Sequence, residues 1–404
     1  MKSLPVSGCL YRAVKHIGPA AVFFGAILAC EASAKEFTIP LAQELVDGAK
    51  LGVQPGDTIL LEAGPRTTLR FEHVVGSPTD YVTIRNKDGE VLIRNDNRHF
   101  DIFIGTSRYF HLTGEGKNGV RYGIQLAGTM PLHGSALMIS GLSSDCEVDH
   151  LEIHHPGFAG MLVKTDGAVG TTMDNISIHD NFIHDTGGEG MYVGETKIPG
   201  QLFHHVKIFN NVVARSGYEA CQVCNIIEDC QIHNNVFYRC GQRGDLWQDR
   251  GVQLAHSACE MYGNIVMFAH SVLLVGSGGP TKFVHDNYFE GTVSGPGVEF
   301  GDAKVTTSFN TGITIEKNYF RGVSNVQPVI LFTGEETELH ASNNVYQDGC
   351  QFLQIQPIVD LSKKVFAENN RRAEIQRPQF VDEAHDNFAL VAGDPYKALG
   401  MGLK

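Results

Sequence analysis

Basic charge is scarce in this sequence. Its 404 residues carry 32 Lys and Arg against 45 Asp and Glu, a net charge of −13, and charged side chains make up only 19% of the chain. The acidic balance argues against nucleic acid as the partner. So little charge also makes long solvated helices a poor description of the chain. Tryptophan occurs once, at Trp247. No apolar run is long enough and suitably flanked to cross a membrane; the best, Ile17 to Cys30, is too short. A second Cys-x-x-Cys is missing beside Cys221-Gln-Val-Cys224, and that pair lies in a strand-like context, where a redox motif would want a helix start. Buried, stacked cysteines are the expectation there.

Residues 1–34 read as an export signal: Lys2, Arg12 and Lys15, then the apolar run, then Ala32-Ser33-Ala34 as a small-residue cleavage site. Losing these three basic residues and Glu31 would take the net charge from −13 to −15. Ile27-Leu28-Ala29-Cys30 is an imperfect lipoprotein box, so a lipid anchor at Cys30 is the alternative to soluble export. The expected location is periplasmic, extracellular or cell-surface. Seven cysteines remain after the segment, an odd number that leaves at least one unpaired within the chain.

What is abundant is glycine, with 45 residues, and a repeated phrase. "ISIHDNFIHDTG", "VKIFNNVVARSG", "IHNNVFYRCG", "CEMYGNIVMFAH", "KFVHDNYFEG", "ITIEKNYFRG" and "LHASNNVYQDG" each alternate apolar residues, reach an Asn, then continue with apolar or aromatic residues. The asparagines are Asn181, Asn211, Asn235, Asn264, Asn287, Asn318 and Asn344, spaced by 30, 24, 29, 23, 31 and 26 residues. An imperfect period of this length with strand alternation inside it marks a solenoid. The simplest product is an all-β, single-stranded, right-handed parallel β-helix, one coil per repeat, with coils about 4.8 Å apart. An inward Asn at each bend would then sit above the Asn of the next coil and bond to it, and Asn tolerates the left-handed backbone a bend requires.

A second strand recurs in each coil: "GMLVKTD", "GMYVGET", "ACQVCNI", "GVQLAHS", "GVEFGDA" and "PVILFTG". With the opening "GVQPGDTILLEAGPRTTLRF", the following "GSPTDYVTIRN" and the closing "PQFVDEAHDNFALVAGDPYKALGMG", the chain resembles the secreted right-handed parallel β-helix proteins of the pectate-lyase-like superfamily from about Phe37 to its end. The resemblance implies the fold. It does not select an activity, because that superfamily holds lyases, hydrolases, epimerases and non-catalytic proteins. The Arg-x-Pro-x-x-Arg of pectate lyases, the Asn-x-Asp and Gly-His-Gly of polygalacturonases and the Asp-Pro-His-Asp of alginate epimerases are all missing. The expected organisation is a signal peptide at 1–34, an N-terminal cap with first coils at 35–96, the β-helix at 97–355 and an irregular closing segment at 356–404. "PLAQELVDGAKLG" is the expected capping helix.

Strand alternation sorts the second strand into sides. Met191 and Val193, Cys221 and Val223, and Val252 and Leu254 should face in. Tyr192, Gln222 and Gln253 should then face out. Before them stand Glu189, Glu219 and Arg250, and after them Glu195, Asn225 and His256, a polar patch across three coils. On neighbouring coils Leu162, Leu273 and Ile330 are expected in the middle column, with Glu299 as the exception. From the Asn to the second strand is ten residues in two coils and 17 in the third. The insertion, Gly241 to Trp247, should wall a cleft, with Trp247 placed either to stack on a sugar ring or to cover an apolar seam.

Glu189 and Glu219 should lie roughly 5 Å apart, a separation that raises their pKa values or recruits a cation. Ca²⁺ held by them would neutralise a uronate carboxylate, with Arg250 or His256 as base and Tyr192 as proton donor. Alternatively, two of Glu189, Glu219 and Asp249 would serve a glycoside hydrolase. The third reading is a non-catalytic glycan-binding protein, with Arg250 salt-bridged to Glu219 on an acidic face. Lys164, Gln222, Gln253 and Asn225 are the expected substrate contacts, and a polysaccharide is the expected partner. Among 18 histidines, His154, His179, His233 and His285 are expected in one surface column, with no carboxylate column beside it to make a metal site.

Overall fold

The computed structural model describes residues 33–404 except 117–118, 129–133, 165–167, 198, 247, 277–280, 292–297, 302–311, 323–327, 333–337, 348, 350 and 356–363, together with the side chains of 299–301 and 364. Each coil contributes three parallel strands. A long strand such as Leu202–Phe209 or Ile226–His233 turns at the Asn into a short one, Val212–Ala214 or Val236–Tyr238. A loop then leads to the third strand, Met191–Gly194, Cys221–Cys224 or Arg250–Ala255 in the central coils. Third strands stack into a 12-stranded sheet; long and short strands share a 23-stranded one. The parallel β-helix expected from the repeat is what forms.

Side chains alternate as the repeat requires. Met191, Val193, Cys221, Val223, Val252 and Leu254 are fully buried in one continuous apolar core with Ile178, Ile208, Ile232 and Met261. Six cysteines are free and buried; Cys350 lies outside the described residues.

The paired asparagines divide their work. In "HNNV" the first, Asn234, takes the left-handed backbone at φ 56°, as Asn210 does at 54° and Asn343 at 57°. The second, Asn235, is the ladder residue, so the expectation that one Asn does both is corrected. Asn235 Nδ2 donates to Asn264 Oδ1 at 2.9 Å, to Ile208 O at 2.9 Å and to His233 O at 3.0 Å. Its Oδ1 accepts from Asn211 N at 2.9 Å. The ladder runs on to Asn370, whose Oδ1 accepts from Asn344 Nδ2 at 2.9 Å.

The N-terminal helix is a single turn, Gly48–Leu51, shorter than the 13-residue segment read as a cap, because Leu45–Asp47 pairs as a strand. Solenoid strands continue through Lys364–Glu368 and Arg371–Arg372. The last residues fold back over the short strands, where Phe388, Leu390, Tyr396 and Met401 pack on Val212, Val236, Ile265 and Tyr288. Arg215 bonds both Asp185 and Asp386, and Asn234 Nδ2 donates to Gly400 O at 2.6 Å. Among the described residues no helix is long and apolar enough to cross a membrane.

Candidate functional site

The third-strand register places Leu162, Tyr192, Gln222, Gln253, Leu274, Glu299 and Leu331 in one column. Leu273 and Ile330, expected there, instead pair with Val252 and Val298 and are buried in the core. The reason is a one-residue displacement. Val272 and Val329 fill the inward position that Gly160, Gly190 and Gly251 hold on other coils, so an apolar residue there does not mark the strand start.

That inward position also orients the acidic column. A Cβ on Gly190 would strike Val213, and one on Gly251 would strike Val266, both core residues. The chain bends there, so two consecutive residues face the core. Glu189, Glu219 and Arg250, one step earlier, therefore lie on the outer side at the corner of the coil. They stand one coil apart, as the bonds from Gly190 N to Glu219 O at 2.9 Å and from Ala220 N to Gly251 O at 2.9 Å show.

This corner is not the open patch expected from the sequence. Glu189 is 2% exposed, Glu219 0%, Gln222 3% and Tyr192 7%, while Gln253 is half-buried. The insertion beginning at Gly241 returns over the two preceding turns. Gln242 N donates to Ser216 O, Arg243 N to Gly217 O, and the Arg243 guanidinium lies 4.9 Å from the Tyr218 ring centre. Trp247 lies outside the described residues. The solvent-facing edge belongs to Lys164. Its Nζ donates to Tyr192 OH at 3.3 Å and to Glu195 Oε1 at 3.3 Å, and it lies 4.9 Å from the Tyr192 ring centre.

The electrostatics are unusual. Among the described residues, Glu189 Oε2, both Glu219 carboxyl oxygens, Gln222 Oε1 and Gln253 Oε1 are buried with no hydrogen-bond partner. Burial raises the Glu219 carboxyl to about 8, with Glu189 adding to the rise and Arg250 opposing it. Burial raises Glu189 to about 7, and Lys164 pulls it back only in part. Burial and then Lys282 push His256 down to about 4, which leaves a neutral imidazole near pH 7, the form that can accept a proton. Among the described residues Arg250 is ion-paired with Asp249 and not with Glu219. Asp249 also approaches His270 at 3.6 Å beside a cavity of about 420 Å³. Asn225 Nδ2 donates to Gln201 O at 3.2 Å, a loop-holding bond, and sits in left-handed backbone at φ 59°.

The histidines do not form the single column expected. His179, Phe209, His233, Tyr262 and His285 stack in one file, but His154 stacks on His184 in another. Carboxylates do join this file: His111, Glu147 and Asp149 offer ligand atoms all within 4.8 Å of one another. Sequence reasoning missed them because the coil of Glu147 and Asp149 has Leu151 where the next has Asn181, so the repeat did not register it.

Residues 118–289 match a family described as "Right handed beta helix region". The fold is a right-handed parallel β-helix. Its expected likeness to the β-helix proteins of the pectate-lyase-like superfamily is borne out at the level of fold. An alginate lyase from Paenibacillus sp. str. FPU-7 is similar over 81% of this chain and 99% of its own, with 16% identity and a TM-score of 0.52. A GH136 lacto-N-biosidase from Eubacterium ramulus is similar over 80% of this chain and 63% of its own, with 11% identity and a TM-score of 0.49. A mannuronic acid specific polysaccharide family 6 lyase from human gut microbiota has 13% identity over 84% of this chain and 91% of its own, with a TM-score of 0.42. No curated protein matches the sequence. Identities this low speak to the fold alone.

Proposed function

We propose that the chain is an exported carbohydrate-active enzyme that cleaves a uronate-containing polysaccharide by β-elimination. One observation carries the reading: Glu189 and Glu219 stand on adjacent coils with three buried carboxyl oxygens that have no hydrogen-bond partner among the described residues. Leaving a buried polar group unmatched costs about 1–3 kcal/mol, so such pairs persist where a ligand completes them. The fold it shares with an alginate lyase hosts this chemistry among others.

The three oxygens suit a hard cation, and Glu189 and Glu219 would hold Ca²⁺. Bound there, the ion would supply positive charge to neutralise a uronate carboxylate. The Lys164 ammonium offers a second, permanent charge at the solvent-facing edge. Its nearest phenol, Tyr192, shares a 2.9 Å bond with Thr196 Oγ1 and would pass a proton to the leaving oxygen, while the unprotonated His256 imidazole would take the proton from the sugar carbon beside the carboxylate. Gln222 and Gln253, one coil apart with free amide oxygens, suit sugar hydroxyls. Arg250, held by Asp249, adds charge that favours an enolate-like intermediate.

A hydrolytic reading draws on a different fact. A Glu219 carboxyl near 8 keeps its proton at neutral pH, as a general acid must, and Glu189 near 7 sits beside it. Incubating the purified chain with acidic and neutral polysaccharides, with and without Ca²⁺, separates the two. New ultraviolet absorbance rising with new reducing ends supports elimination. Reducing ends without absorbance mean hydrolysis. Neither signal, with glycan binding retained, would leave the binding-protein alternative.

A further inference from the structure

The other sheet carries a second constellation that the polysaccharide site does not use. His111 lies in the strand Arg108–Thr113, Glu147 and Asp149 in Ser144–Asp149, and His179 in Thr172–His179, three successive coils. The register sets Glu147 opposite His111 and Asp149 opposite His179. His111 Nε2 contacts Asp149 Oδ2. His179 Nε2 lies 2.8 Å from Glu147 Oε1 and 3.8 Å from Asp149 Oδ2. His111, Glu147 and Asp149 offer ligand atoms all within 4.8 Å of one another, and His179 Nε2 reaches Glu147 and Asp149 from the next coil.

The surroundings match those of metal-bound histidines and carboxylates. His179 turns its other nitrogen, Nδ1, to Asp180 Oδ2 at 2.8 Å. Its ring plane is fixed by stacking on Phe209, with centroids 4.5 Å apart and planes 16° apart. The second Asp149 oxygen accepts from Thr113 and faces His150 Nδ1 at 2.7 Å. A carboxylate on the far nitrogen of a ligand histidine is the usual outer support of a bound metal. Among the described residues, histidines are the only basic partners that Glu147, Asp149 and Asp180 ion-pair with. The Asp149 side chain is only 4% exposed. Buried carboxylates beside imidazole nitrogens offer a divalent ion both donor types once it displaces the imidazole proton.

We infer that His111, Glu147, Asp149 and His179 bind a zinc ion. Two imidazoles and two carboxylates suit borderline-soft Zn²⁺ better than Ca²⁺, which takes oxygens only. His111, Glu147 and Asp149 would supply three donors and His179, beside two of them, would close the shell as the fourth, so the bound ion would clamp three coils together. Binding needs the His179 Nε2 proton to leave; the Nδ1 proton stays on the bond to Asp180.

The test uses the full chain after chelation and dialysis. Titration with Co²⁺, read by visible absorption, and with Zn²⁺, read by calorimetry, should give one equivalent, the intense bands of tetrahedral cobalt, and displacement of cobalt by zinc. The pair His111→Ala with His179→Gln should weaken binding at least 100-fold, roughly the scale at which even outer partners begin to count. Asp180→Asn, which spares every ligand, should weaken it about 10-fold and keeps the test decisive should the ligand variants not fold. Glu189→Gln with Glu219→Gln should leave zinc binding unchanged, which separates this site from the polysaccharide site. Absence of stoichiometric binding, pale octahedral cobalt, unaltered affinity in Asp180→Asn, or loss of binding in the Glu189 and Glu219 variants would each overturn the inference.

Discussion

Two corners of the same coils carry stacks of buried polar side chains, and they are opposites. At the first, every Asn amide from Asn211 to Asn318 donates to a backbone carbonyl and to the next Asn, and accepts from the one before. At the second, Glu189 and Glu219 stand on adjacent coils but leave three buried oxygens with no hydrogen-bond partner among the described residues. The first column costs nothing in unmatched groups and holds the coils in register. The second is destabilised where it stands, which points to a role other than holding the fold. Burial and stacking alone do not distinguish structure from function here; satisfaction of the polar atoms does.

Breaking the saturated corner should have the largest effect on stability. Asn235→Ala removes the acceptor for Asn211 and the donor to Asn264, Ile208 and His233. A loss of about 2–4 kcal/mol is expected from the several groups left unmatched, measured by urea unfolding. An Asn235→Ala chain as stable as wild type would contradict the ladder's role.

The orphaned corner should show itself in pH dependence. The two carboxyls, with reference values of 4.5, rise to about 7 and about 8 in the folded chain. Folding therefore favours their protonated forms, and the unfolded state releases those protons first as pH rises. Their contribution is fully present below pH 4.5 and is lost as pH rises through 7 to 8. The melting temperature should fall over that window in wild type, and the Glu189→Gln, Glu219→Gln double variant should lack this part of the fall. Added Ca²⁺ should flatten the wild-type slope by stabilising the ionised pair.

Glu219→Leu replaces an unmatched carboxyl with apolar volume, so stability should hold or rise by about 1 kcal/mol, while polysaccharide cleavage is lost. Tyr192→Phe should cost least, about 1 kcal/mol or below for one hydroxyl hydrogen bond, yet lower turnover with little change in substrate affinity. A cost in stability without a kinetic effect would place Tyr192 on the structural side of the comparison.

Much of the fold was legible because a solenoid writes its geometry repeatedly. Alternation before each Asn gave the inward residues, and the Asn spacing gave the coil. Asn370 escaped because Arg371 and Arg372 follow it where other coils have apolar residues. Leu274 and Leu331 escaped because Val272 and Val329 stand where glycine usually does. The site's residues could be placed side by side from register, but not their burial. Nor could alternation reveal that Arg250 pairs with its neighbour Asp249 or that Lys282 depresses His256. Those are contacts between positions no repeat relates.

The most direct test compares wild type with Glu219→Leu on the polysaccharide panel, measuring cleavage and melting temperature on the same preparations. Lost cleavage in a chain that melts at or above the wild-type temperature is the predicted result. Cleavage that survives at the wild-type rate in a folded Glu219→Leu chain would contradict the assignment of this corner as the catalytic site.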